Sequence, residues 1–141
     1  MNTQETQDKI VREFQLFQDW TERYEHIIRL GKKLPEMDVA QKTDENRIIG
    51  CQSAVWLTAS EKDHLLHFQA DSDALIVKGL IALLLRVYND RTPDEILHTE
   101  PDFISKIGLD RHLSPTRSNG LVAMMAKIKS YARAHLEPSG S

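Results

Sequence analysis

Three features of the sequence predict an α+β fold, a small three-stranded antiparallel sheet packed against several helices. The N-terminal third carries two amphipathic helical periodicities. Three short β-rich runs cluster between residues 47 and 70, and the strongly apolar run ALIVKGLIALLLRVY at 74–88 is followed only by helical patterns. No repeat and no Pro/Gly/Ser-rich linker divides the chain. Its 141 residues, 40% hydrophobic and 28% charged, suffice for one core, so a single domain over 1–141 is expected.

Ile10, Phe14 and Phe17, with Val11 beside them, fall on one helical face, which predicts a helix over 4–18. Asp19 with Glu22 three positions on makes a capping box for a second helix. Trp20, Tyr24, Ile27 and Ile28 repeat at helical spacing along it, and Gly31 and Pro35 stop it. PEMDVAQKTDEN (35–46) is polar and aperiodic and reads as a mobile surface loop with solvated charges. RII (47–49), AVWLTAS (54–60) and HLLHFQA (64–70) read as strands, with SEKD as the hairpin loop between the last two. In them Trp56 reads as sheet packing, and His64 and His67 as exposed-face side chains.

DSD (71–73) places short polar side chains where a helix start needs acceptors, so Asp71 and Asp73 read first as helix-start residues. Lying just after the strand beside Cys51, they have a second reading as supports of the cysteine loop. The 74–88 run, apolar on nearly all sides, is the central core helix, with Lys78 snorkelling or paired to an acid. TPDE (92–95) starts another helix, with Thr92 as N-cap, Pro93 in the first turn and Glu95 reaching back. Gly108 ends a short segment. SPTR (114–117) opens a last helix with a buried face of Leu121, Val122, Met124, Met125, Ile128 and Leu136, and EPSGS (137–141) is a flexible tail.

The net charge of -3, with no long Lys/Arg run or RNA-binding aromatic motif, gives no electrostatic reason to expect a nucleic-acid partner. The longest apolar run is interrupted by Lys78 and Arg86 and falls short of a bilayer span. MNTQETQDKIVREF lacks the apolar core of a secretory signal, so a cytoplasmic location is expected. The one cysteine rules out an internal disulfide, a CxxC redox pair and a multi-cysteine zinc site.

That cysteine, Cys51, lies in RIIGCQSAVW (47–56). A lone cysteine is commonly an inert core residue. Gly50 before it and Gln52-Ser53 after it are turn residues, and loops on rigid strands are where reactive groups are presented. A single thiol is sufficient for a sulfur carrier, which attacks the outer sulfur of a donor persulfide and holds it as Cys–S–SH. Its thiolate needs activation, because an unassisted cysteine of pKa about 8.5 is mostly protonated at neutral pH. A thiol hydrolase would need a histidine base, and no cysteine-protease signature surrounds Cys51. Arg117, in the first turn of the last helix, sits where the macrodipole disfavours a cation, so a role other than helix stability is expected. Gly120 in the same helix suggests close backbone approach.

IIGCQSAVW, DSDALIVKGLIALLL, LGKKLPE and LSPTRSNGL together resemble the signatures of the SufE-type sulfur acceptors of iron–sulfur cluster assembly over nearly the whole chain. Sister CsdE-type proteins more often follow the cysteine with Glu-Asn, so Gln52-Ser53 favours the SufE side. The resemblance implies a fold shared with IscU-type scaffolds. It also implies a pyridoxal-phosphate cysteine desulfurase (SufS/CsdA-type) as partner and an iron–sulfur scaffold complex (SufBCD-type) as sulfur recipient. Cys51 matches the persulfide-forming cysteine, and Arg117 matches the arginine of the RSxGL pattern, near the cysteine loop or the desulfurase interface. Gly50, Gln52, Ser53 and Asp73 are the expected supporting residues. The PLP belongs to the partner; no cofactor or metal of this chain's own is implied, and the expected state is a monomer or weak dimer. The alternative from the same motifs is a docking activator of the desulfurase that carries no sulfur. Because an exposed persulfide is easily lost to thiols, Cys51 is expected to be tucked against the sheet and to swing out on docking.

Overall fold

A computed structural model of the chain describes residues 2–49 and 53–136. It is a mixed α+β structure of seven α-helices and a two-stranded antiparallel sheet, among the described residues. Helix α1 (Thr3–Gln15) opens on a capping box between Asn2 and Glu5, and α2 (Trp20–Lys32) on Asp19, whose side chain accepts from the Glu22 N–H. Glu22 reaches back to the Gln18 N–H rather than to that of Asp19, so the reciprocal half of the expected box falls one residue earlier. Helix α1 stops at Gln15, short of the predicted 18. Leu16 is left 78% exposed, while Phe17 turns into an aromatic cluster with Phe14 and His26.

Gly31 does not stop α2, which runs on to Lys32. The glycine faces α3 (Leu75–Tyr88), where a Cβ on Gly31 would lie 2.7 Å from the Gly79 backbone nitrogen. Bare backbone on both sides lets the two helices cross at contact distance.

The sheet pairs β1 (Val55–Lys62) with β2 (Leu65–Ser72) in a register from Val55 opposite Ser72 to Lys62 opposite Leu65. The third expected strand, 47–49, is reduced to one antiparallel bridge between Arg47 and Trp56. Ile48 continues it with one N–H to the Val55 carbonyl (2.8 Å), but Ile49 is already 86% exposed, so the run is too short to form a ladder. The hairpin turns on Asp63 and His64, tighter than the predicted SEKD loop. Both have left-handed φ values, 54° and 68°, as the mirror-image two-residue turn requires. His64 therefore lies in the turn rather than on the strand face, while His67 is on β2 beside Asp90 (3.2 Å). Left-handed backbone is costly for a non-glycine residue, so His64→Gly is expected to stabilise the protein by about 1 kcal/mol in denaturant unfolding. An unchanged midpoint would contradict this.

Val55, Leu57, Leu66, Phe68 and Ala70 bury one face of the sheet in a single cluster with Leu80, Ile81, Leu84 and Leu85 of α3. Full burial of each large apolar side chain contributes about 1.5–3 kcal/mol. Helix α4 (Pro93–Leu97) carries the predicted Thr92/Glu95 capping box, and α5 (Phe103–Ile107) ends on left-handed Gly108. After α6 (Leu109–His112) comes α7 (Pro115–Ala134), capped by Ser114. Of the face predicted for α7, Leu121, Met124 and Ile128 are buried, joined by Ala132. Val122 (69%) is exposed, because α7 rests on the core along a narrower stripe than the apolar count suggests, and Leu136 (40%) lies past the end of the helix at Ala134. The predicted tail, 137–141, lies outside the described residues.

Candidate functional site

Gly50, Cys51 and Gln52 lie outside the described residues, as therefore does the expected shelter of the thiol. The chain on either side of them is held by identifiable bonds. Upstream, Arg47 bridges Trp56, and buried Ile48 donates its N–H to the Val55 carbonyl. Ile49, the next residue, is exposed to solvent. Downstream, the Ala54 carbonyl accepts from Ser72 Oγ (2.7 Å) and the Asp73 N–H (3.3 Å), while its N–H donates to Asp73 Oδ1 (3.1 Å). Asp73 thus holds Ala54, three residues after the cysteine, by both its backbone N–H and its carboxylate.

Neither Asp71 nor Asp73 caps α3: its N-cap is Ala74, without a side-chain cap bond. The reason is register, since β2 continues through Ser72 and the helix starts only after the polar triplet has been used by the sheet. It is Ser72 Oγ that accepts the Ala74 N–H (3.2 Å).

Asp71 is a buried hub, its side chain 4% exposed. Oδ2 accepts the Met37 N–H (3.2 Å) and meets Lys42 Nζ (3.3 Å), while Oδ1 accepts the Ser72 N–H (2.8 Å) and faces Lys78 Nζ (3.4 Å). Burial pushes this carboxyl's pKa up. The two N–H donors, the Lys42 ammonium and the charge of Lys78 outweigh burial and hold it below its ordinary value of 3.8. Lys78 therefore pairs with an acid across the helix start. Lys42 overturns the reading of 35–46 as a purely solvated loop: two single-turn 3₁₀ helices, Val39–Gln41 and Asp44–Asn46, fold this segment. Met37 is buried and Lys42 also lies 5.4 Å over the Trp56 ring.

Ser53 and Arg117, distant in sequence, line one cleft of about 340 Å³. Val55, Val77, Leu80 and Met124 make its apolar wall, and Ser114 and Arg117 bring the start of α7 to its rim, with Gly120 beside them. The guanidinium and the positive end of a 20-residue helix on one rim favour an anion such as a thiolate placed there, while the apolar wall opposes it by withholding solvation. Two larger depressions, of about 400 and 460 Å³, contain none of the predicted site residues. Asp73 is not part of the cleft and acts from the other side of Ala54.

The residues that sequence reasoning missed are Met37, Lys42 and Ser72. The apolar Met37 in a polar stretch was the one faint signal available, and an ambiguous one, since its neighbour Val39 is equally apolar yet 78% exposed. No group of three or more His, Cys, Asp or Glu among the described residues is arranged to hold a metal ion, and no described helix is long and apolar enough to cross a membrane.

The SufE family model, an Fe-S metabolism associated domain, matches residues 8–132. An uncharacterized SufE-like protein of Rhizobium meliloti (strain 1021) is 42% identical over 134 residues, covering 92% of this chain and 96% of that protein. Another from Rhizobium etli is 40% identical over 131 residues, covering 89% and 88%. The solution structure of a hypothetical protein from Thermus thermophilus is similar with a TM-score of 0.76 over 92% of this chain and 95% of that one. At 19% identity that likeness speaks for the fold. A family match that runs from α1 into α7, with two relatives alike over nearly their full lengths, places this chain in the SufE family.

Proposed function

We propose that this chain is a sulfur acceptor and carrier of iron–sulfur cluster assembly. It takes sulfur from a PLP-dependent cysteine desulfurase onto Cys51, stimulates that enzyme and delivers the sulfur to a scaffold complex in the cytoplasm. The observation that carries the reading is the only cysteine of the chain, set in GCQSAVW within the span that the family model matches. The tethers at Ile48 and Ala54 support it, as does the cleft that Ser53 and Arg117 share.

In the transfer, the Cys51 thiolate attacks the outer sulfur of the donor's Cys–S–SH. The new Cys51–S bond forms as the donor's S–S bond breaks. The donor leaves as its thiolate, and the outer sulfur arrives on Cys51 as a persulfide with no net oxidation. Arg117 and the start of α7 are suited to favour the anionic sulfur, and the apolar wall beside them to keep ambient thiols away.

The test is intact mass after incubation with the desulfurase, PLP and cysteine. A gain of one sulfur atom, abolished in Cys51→Ser, is expected; no gain, or a gain that survives the substitution, would sink the proposal. Full stimulation of the desulfurase by Cys51→Ala at saturating binding would show a docking activator instead.

A further inference from the structure

We infer that the Lys42–Asp71 ion pair is a positioning device that fixes where the chain approaches Cys51, separate from the residues that meet the sulfur. The functional consequence rests on the carrier reading; the geometry does not.

Asp71 carries one negative charge, yet two ammonium groups face it, Lys42 at 3.3 Å and Lys78 at 3.4 Å. Lys78, from core helix α3, is enough to neutralise the carboxylate. Lys42 is redundant for charge and comes from the segment before the cysteine, so its placement calls for another reason. That reason is the set of ties it closes. Lys42 and the Met37 N–H fasten the upstream segment to Asp71. Asp71 is the cross-strand partner of Trp56, Trp56 bridges Arg47, and its ring lies under the Lys42 ammonium. The 3₁₀ turn Asp44–Asn46 returns the chain from Lys42 to Arg47, closing the circuit. The next two residues, Ser72 and Asp73, grip Ala54 on the downstream side. The tripeptide 71–73 is therefore a common reference for both approaches to the cysteine, and its partner Lys42, with a side chain 30% exposed against 4% for Asp71, is the group reachable by mutation without opening the core.

The measurements are the alkylation rate of Cys51 by iodoacetamide in the isolated full chain and the single-turnover rate of sulfur transfer from saturating desulfurase. Lys42→Met, which keeps the aliphatic stem, is expected to change both rates by at least about fivefold, the low end of a site-to-site coupling. Lys42→Arg is expected to restore both. Lys78→Met removes an equal charge from the same carboxylate without touching the upstream segment, and is expected to leave both rates within about twofold, inside the fivefold coupling threshold. Wild-type rates in Lys42→Met, or equal changes in both methionine variants, overturn the inference. If the wild-type chain accepts no sulfur while Lys42→Met still alters alkylation, the carrier reading fails and the positioning role stands.

Discussion

Gly79→Ala is expected to destabilise the protein by about 3 kcal/mol, lowering the thermal midpoint by about 10 °C. Alanine is the better helix former by about 1 kcal/mol, so an exposed α3 would gain from the change. The crossing with α2 reverses the sign. A Cβ on Gly79 would lie 2.0 Å from the Ile27 carbonyl oxygen and 2.7 Å from its carbonyl carbon, and these are backbone atoms that cannot rotate away. The helices would have to separate, loosening the contact of Ile27 with the core on one side and of Leu80 and Leu84 with the sheet on the other. Gly31→Ala meets the Gly79 nitrogen at 2.7 Å and the Leu75 oxygen at 2.9 Å, and is expected to cost roughly half as much. One separation accommodates both methyl groups, so the double variant should fall short of the sum. Circular dichroism melts of the three variants check this; wild-type stability in Gly79→Ala would show that α2 and α3 have more freedom than their contact implies.

Gly31 shows where the sequence could and could not be read. Helix starts at Asp19, Thr92 and Ser114 and the stop at Gly108 are local events, made by a side chain and a backbone group a few positions apart, so spacing alone reveals them. Gly31 looks the same as a stop signal, but its role is set by Gly79, which no local pattern connects to it. The RII run has strand composition yet makes only a bridge, since a ladder requires length as well as propensity. Val122 follows the apolar wheel of α7 and is nevertheless exposed, because the wheel gives an angle and not the position of the neighbouring helix. The site divides in the same way. Cys51 was legible from its singularity and its flanking motif. The meeting of Ser53 with Arg117 in one cleft, and of Lys42 with Asp71, depends on chain reversals that bring distant segments together.

Asp71→Ala is expected to cost about 3–4 kcal/mol, more than any exposed ion pair would, because it leaves Lys78 and the Met37 N–H without their acceptor in a nearly closed site. Asp71→Asn separates charge from shape. It keeps one acceptor oxygen but loses both ammonium pairings, so an intermediate loss is expected at neutral pH. The pH dependence identifies the source. The folded carboxyl titrates below its ordinary value of 3.8, so the unfolded chain takes up the proton first. The stabilisation it gives is complete above about pH 5 and is lost as pH falls through 3.8 and on through the folded value. Denaturant unfolding of wild type and Asp71→Asn should therefore differ most near neutrality and converge in acid, where the wild-type carboxyl is itself neutral. A gap that stayed constant from pH 7 to below 3.8 would assign the loss to packing and leave the charge of Asp71 without a part in holding the approach to Cys51.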